Sequence, residues 1–201
     1  MMIPKTYLRK EYVVKQKSVH EIALKLACSD NKVTYWLQKY KIERRTISEA
    51  MYTKRNPKGD PFKFSAPKNN KQWFLYGLGL GLFWGEGNKV NKNSVRLGNT
   101  DPDLIKLFLQ FLTEMYQIDT LKLSFGIQIF SDVSKAESRK FWQKKLQFPG
   151  TSFRKVIITK SNKKGSYRHK NQYGVLTVYF HNTKLRDSIL SAISALRGKP
   201  L

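Results

Sequence analysis

The segment FLYGLGLGLFWGEGNK, Phe74–Lys89, is the most apolar stretch of the chain, yet five of its sixteen residues are glycine. Two local structures are compatible with it. As a strand, it places Gly77, Gly79 and Gly81 on one face and leucines on the other, leaving a bare face with nothing to pack. As a helix, it places Gly77, Gly81 and Gly85 at i, i+4 and i+8, a stripe almost free of side chains. Each glycine costs roughly 1 kcal/mol in a helix interior relative to alanine. A second helix lying close along the stripe offsets that cost, because small residues let two backbones approach. The helical reading therefore explains both the glycines and their spacing. It ends the helix near Glu86, with Gly87 expected in the left-handed C′ conformation. Glu86 then stands at the negative end of the helix dipole, which is unfavourable without a nearby cation. A divalent metal answers that need. Two such helices side by side bring two carboxylates together at their tips, an arrangement suited to metal-assisted phosphodiester hydrolysis.

The partner implied by charge is a polyanion. Lys and Arg total 38 against 14 Asp and Glu, a formal net charge of +24 over 201 residues. Residues 1–70 contain 16 basic and 6 acidic groups and residues 71–201 contain 22 and 8, so the excess is spread along the chain. Nucleic acid is the expected ligand, since each neutralised phosphate releases counterions. A single cysteine, Cys28, excludes an internal disulfide and any Cys-based metal site, which fits a reducing cytosol. The N-terminus MMIPKTYLRKEY lacks an apolar signal core, and Phe74–Gly85 is shorter than the roughly 20 residues a membrane-spanning helix needs. The expectation is a cytoplasmic protein with no membrane partner.

Residues 5–45 read as three short helices: KTYLRKEYV, SVHEIALKLA and SDNKVTYWLQKY. Ser18 with Glu21 makes a capping box, and Ser29 can cap the third helix with Asp30 in its first turn. Ile22 with Leu26 and Val33 with Leu37 repeat at i, i+4 and mark the inward faces. Only ACS separates the second and third helices. The segment resembles a helix-turn-helix DNA-binding domain, whose third helix would enter the major groove. Asn31, Lys32 and Tyr35 are then the expected DNA contacts. Cys28 reads as a small apolar packing residue and His20 as a surface residue of the second helix.

Periodicity fades from Thr46 to Lys71, where Pro57, Pro61 and Pro67 stand among basic residues; 46–71 reads as a basic linker. Beyond it, SVRLGNT is a predicted strand and DPDLIKLFLQFLTEMY a helix with Pro102 in its first turn. In LKLSFGIQIF, Leu121, Leu123, Phe125, Ile127 and Ile129 alternate with Lys122, Ser124, Gly126 and Gln128, predicting one buried and one outward face. SKAESRKFWQKKLQ is a basic helix, FRKVIITK and YGVLTVYFHN are strands, and TKLRDSILSAISAL closes the chain as a helix. The expected fold is α+β, with antiparallel pairing in residues 72–201 behind an all-α domain in residues 1–45. Arg96, Lys122, Gln128 and Lys160 are expected on the outward sheet face. Lys163 and Arg168 fall in the basic run Arg154–Lys170, read as a DNA-facing hairpin. His20, His169 and His181 show no metal-ligand spacing, and neither a Ser-His-Asp arrangement nor a phosphate-cradling glycine loop is evident.

GLFWGEG, Gly81–Gly87, resembles the core of the LAGLIDADG motif of homing endonucleases, with Glu86 at the motif's final acid. The resemblance continues through VRLGNTDPDLIKLFLQFL to the terminal helix, in the manner of standalone single-motif members with an N-terminal helix-turn-helix. It implies a Mg²⁺-dependent double-stranded DNA endonuclease acting as a homodimer. In such an enzyme the motif helices, here Gly77 and Gly81, form the interface. Glu86 and the Gly85 carbonyl bind metal, and a saddle of antiparallel strands lies on DNA. The motif's first acid is replaced by Trp84 and its last is Glu instead of Asp. The alternative function is a transcription regulator that keeps the scaffold for DNA binding without cleavage. An RNA-binding role fits less well, because a major-groove helix suits B-form DNA.

Overall fold

The structure, a computed structural model, describes residues 2–148, 152–154, 156–160 and 172–198. The chain divides into two compact units, Met1–Pro61 and Phe62–Leu201.

The first unit contains α1 (Lys5–Leu8), a π-helical turn (Arg9–Val14), α2 (Val19–Lys25), α3 (Asp30–Lys39) and α4 (Ile47–Arg55). The capping box is formed: the Glu21 N–H donates to Ser18 Oγ at 3.1 Å and the Ser18 N–H to Glu21 Oε2 at 2.7 Å. Ser29 accepts from the Lys32 N–H and starts α3. Ile22, Val33 and Leu37 are fully buried, and Cys28 packs at the edge of this core. Glu11 is also buried, held by Lys15 at 2.7 Å and Lys17 at 2.5 Å.

The segment expected as a linker is largely structured. Thr46 and Glu49 form a second capping box that opens α4. After a turn at residues 56–61 the chain joins the second unit, where the Lys63 and Ser65 N–H groups donate to the Tyr116 and Met115 carbonyls at 2.9 and 2.7 Å. Pro57 follows Asn56, which ends α4; residues 62–68 form neither helix nor strand, yet these hydrogen bonds mean they are no free tether.

The second unit is α+β. Its elements are α5 (Asn70–Glu86), β1 (Val95–Asn99), α6 (Pro102–Met115), β2 (Leu123–Phe130), α7 (Lys135–Leu146), β3 (Ser152–Phe153), β4 (Ile157–Thr159), β5 (Val175–Phe180) and α8 (Thr183–Arg197). The sheet runs β1-β5-β2, with β3 and β4 both on the far edge of β2. β5 pairs antiparallel with β1 and β2, whereas β3 and β4 pair parallel to β2. The expected antiparallel sheet is therefore mixed. The cause is α7: a helix between β2 and β3 carries the chain back to the start of β2, which makes the next strand parallel.

Val95, Leu97, Phe125, Ile127, Leu176, Val178 and Phe180 point from the sheet into the core, against α5, α6 and α8. In α6 the inward face is Ile105, Phe108, Leu109, Phe111, Leu112 and Met115. Phe83 of α5 stacks on Phe108 at 6.0 Å between ring centroids. No helix among the described residues is long and apolar enough to cross a membrane.

Candidate nucleic-acid interface and acid site

Asn69 Oδ1 accepts from the Gln72 N–H and begins α5, the helix expected from the glycine spacing. Gly79 packs inward on Phe111. A Cβ built on Gly77, Gly81 or Gly85 would meet nothing within 4 Å. The stripe is thus an open face, flanked by Phe74 and Trp84, which are 72% and 44% exposed. Glu86, the last helical residue, is exposed at the end of that face. Gly87 departs from expectation: its backbone is extended (φ −70°, ψ 142°), not left-handed. Its N–H donates to the Phe83 carbonyl at 2.9 Å, and a Cβ would lie 2.4 Å from that oxygen. Glycine is required here by close approach, because the chain turns at once into a bridge with Leu97 of β1.

A cation does stand at this helix end, and it belongs to the chain. The Lys89 ammonium donates to the Trp84 carbonyl and lies 3.4 Å from the Gly85 carbonyl. Its backbone is fixed from two sides, by Asn88 N–H donating to the Arg96 carbonyl at 2.9 Å and by Arg186 Nη2 donating to the Lys89 carbonyl at 2.7 Å. The sequence contained the signal, a lysine three residues beyond the helix end, where basic side chains commonly satisfy terminal carbonyls. The Glu86 carboxylate and Gly85 carbonyl are hard oxygen donors of the kind Mg²⁺ accepts. In one chain these two donors stand on adjacent residues. Among the described residues no group of three or more His, Cys, Asp and Glu is placed to hold a metal.

The outer face of the sheet gathers a second set of groups. Arg96 of β1, Tyr179 of β5 and Ser124 of β2 are direct cross-strand partners in one row. The Arg96 guanidinium lies 5.3 Å from the Tyr179 ring centroid, and that of Arg154, just past β3, lies 4.8 Å from it. Arg154 Nε donates to Ser124 Oγ at 3.0 Å and its Nη2 meets His181 Nε2 at 2.5 Å, so that nitrogen is the acceptor. The Tyr179 ring has room because Gly126 lies beneath it; a Cβ there would approach Cε2 to 3.0 Å. Two guanidiniums bracketing an aromatic ring on a pleated surface suit phosphates and base edges.

Of the expected sheet contacts, Arg96 is in this row. Gln128 is exposed on β2, donating to Thr159 Oγ1 at 3.0 Å, and Lys160 is exposed just past β4. Lys122 is not on the sheet. It closes a 3-10 turn, Thr120–Lys122, capped by Asp119, and the strand begins only at Leu123, leaving Leu121 exposed; Ser124 and Gly126, expected to face outward, are buried beneath Arg154 and Tyr179. Lys163 and Arg168 lie outside the described residues. Arg154, Tyr179 and His181 were not singled out as contacts, although the alternation Val175, Thr177, Tyr179 marks an outward face.

On α3, Asn31 and Tyr35 are exposed one turn apart and Lys32 is half-buried beside them. Lys39 lies over Trp36 at 4.8 Å, and His20 contacts Asp30 at 3.3 Å. This polar, basic helix face is the candidate contact surface of the first unit. No family model, curated protein or solved structure matches the chain.

Proposed function

We propose that the protein is a site-specific double-stranded DNA endonuclease of the LAGLIDADG type, Mg²⁺-dependent and homodimeric, with the helix-turn-helix unit as a second DNA contact in the cytosol. The observation that carries this reading is the open Gly77–Gly81–Gly85 stripe ending at exposed Glu86 beside the Gly85 carbonyl. An isologous pairing of two such helices brings two Glu86 carboxylates to one end and gives each DNA strand its own acid. Glu86 and the Gly85 carbonyl of each copy would hold Mg²⁺, which when bound polarises the phosphodiester and activates water. Arg96, Arg154 and Tyr179 would grip the backbone and orient the duplex over the acids.

One observation favours the second reading, a DNA-binding regulator without cleavage. The Gly85 carbonyl already faces the Lys89 ammonium, so the helix end is compensated without metal. The two readings separate in one experiment. The purified protein and its Glu86→Gln variant are incubated with a randomised duplex library in Mg²⁺ and in Ca²⁺, with breaks and retention scored separately. Breaks in Mg²⁺ that vanish in Glu86→Gln support the enzyme. Sequence-specific retention without breaks in either ion supports the regulator.

A further inference from the structure

We propose that Lys89 is a tethered cation that competes with the divalent metal for the end of α5 and thereby sets the metal affinity of the Glu86 site. The inference rests on the metal-binding reading of Glu86 and goes beyond it. A helix C-terminus has partial negative charge on its unsatisfied carbonyls. Here the last turn adds a full carboxylate, Glu86, with no basic residue in the turn itself. The Lys89 ammonium meets the carbonyl part of that charge, donating to the Trp84 carbonyl 3.4 Å from the Gly85 carbonyl.

The contact belongs to a built loop. Gly87 bridges Leu97, the Asn88 N–H donates to the Arg96 carbonyl, and the Asn91 N–H donates to Asn88 Oδ1 at 2.9 Å. Arg186 of α8, itself paired with Asp187, holds the Lys89 carbonyl. The lysine therefore starts from a fixed backbone position, and only its flexible stem has to move to clear the carbonyls. A divalent ion on Glu86 and Gly85 would sit within a few ångströms of the ammonium. The site is exposed, so water screens the repulsion, but a divalent and a monovalent cation a few ångströms apart still oppose each other by enough to change affinity about tenfold. Metal entry thus requires the ammonium to swing away.

Terbium, an oxygen-seeking ion excited through nearby tryptophan, is the probe, with Trp84 in the same helical turn. Titration of the full chain is compared with Lys89→Met, Lys89→Gln, Lys89→Arg and Glu86→Gln. Removing the charge should tighten terbium binding about tenfold in both Lys89→Met and Lys89→Gln. The glutamine variant keeps a donor for the carbonyls, so it separates charge from hydrogen bonding. Lys89→Arg should bind like the unmodified protein, and Glu86→Gln should lose the signal. Glu86-dependent binding that is unchanged or weaker in Lys89→Met and Lys89→Gln overturns the competition and leaves the metal site standing. Absence of Glu86-dependent terbium binding in every variant overturns the metal site and the competition together.

Discussion

Gly79 of α5 and Phe111 of α6 meet so closely that a Cβ on the glycine would fall 2.1 Å from the ring Cγ. Phe111 cannot yield easily, because it packs against Tyr76, Phe108 and Tyr116 with ring centroids 6.1, 5.9 and 5.4 Å away. Gly79→Ala should therefore separate α5 from α6 and lower stability by about 1–3 kcal/mol, the usual cost of overpacking. Within one chain, Gly81→Ala, two residues on, adds a methyl to open space and should leave the chain's own fold intact; it costs stability only where a second α5 packs along the stripe. Denaturant unfolding of both variants checks this. Equal destabilisation would mean that the two glycines face the same environment.

That contrast marks what the sequence could reveal. The spacing of Gly77, Gly81 and Gly85 specifies a helix with one bare face, and the face is there. The inward role of Gly79 depends on Phe111, 32 positions away, and no local pattern announces it. The capping box at Ser18 and the Pro102 start of α6 are local signals and were legible. Thr46–Glu49 is equally local but is outweighed by the prolines that follow, of which Pro57 stands directly past the end of α4 without preventing the helix. Apolarity alone does not mark the inward face of α6, since Leu107 is 38% exposed while Ile105 and Leu109 are buried. A Leu- and Phe-rich helix offers too many apolar positions for composition to choose the inward face. The parallel edge of the sheet and the Arg96–Tyr179–Arg154 row arise only when distant strands meet.

The row makes a prediction about DNA. Arg154→Ala removes one cation from the outward sheet face and should weaken binding while reducing the salt slope by about one unit, as for a lost phosphate contact. Tyr179→Leu leaves the charge unchanged but removes the ring that positions both guanidiniums. Affinity should fall with the salt slope preserved. Equilibrium binding across a salt series, with footprinting, measures both effects. An undiminished footprint in the Arg154→Ala, Tyr179→Leu double variant would place this face away from DNA.

Glu11 gives the first unit a dependence on acid. Hydrogen bonds from Lys15 and then Lys17 hold its carboxyl at about 2, against an ordinary value of 4.5, although burial opposes the shift. A folded-state value below the unfolded one means that the stabilisation is fully present above about pH 4.5 and is lost as pH falls toward 2. Trp36 is the one tryptophan in residues 1–61 and sits at the edge of the same core, so its environment reports unfolding of that unit. The pH dependence of its stability between 4.5 and 2 should shrink in Glu11→Gln. A smaller slope should remain, because Glu21 is also lowered by its hydrogen bond from the Ser18 backbone. An identical acid profile in the variant would remove Glu11 as the cause.

The glycine stripe and the acid can be separated by two substitutions on one helix. Gly81 has open space where a side chain would grow, so Gly81→Leu should fold as a chain. If two copies of α5 pack along the stripe, however, leucine at its centre holds the backbones apart and leaves an apolar surface uncovered. The expected result is a monomeric or aggregating protein that does not cut, with Glu86 untouched. Glu86→Gln should do the reverse, keeping the dimer and its DNA affinity while cleavage disappears. Sedimentation, circular dichroism and plasmid nicking on both variants decide between these outcomes. Circular dichroism is needed to show that Gly81→Leu has kept its helices, because only then does the lost dimer report on the interface. A Gly81→Leu protein that remains a cutting dimer refutes the pairing of the helices, and a cutting Glu86→Gln protein refutes the acid.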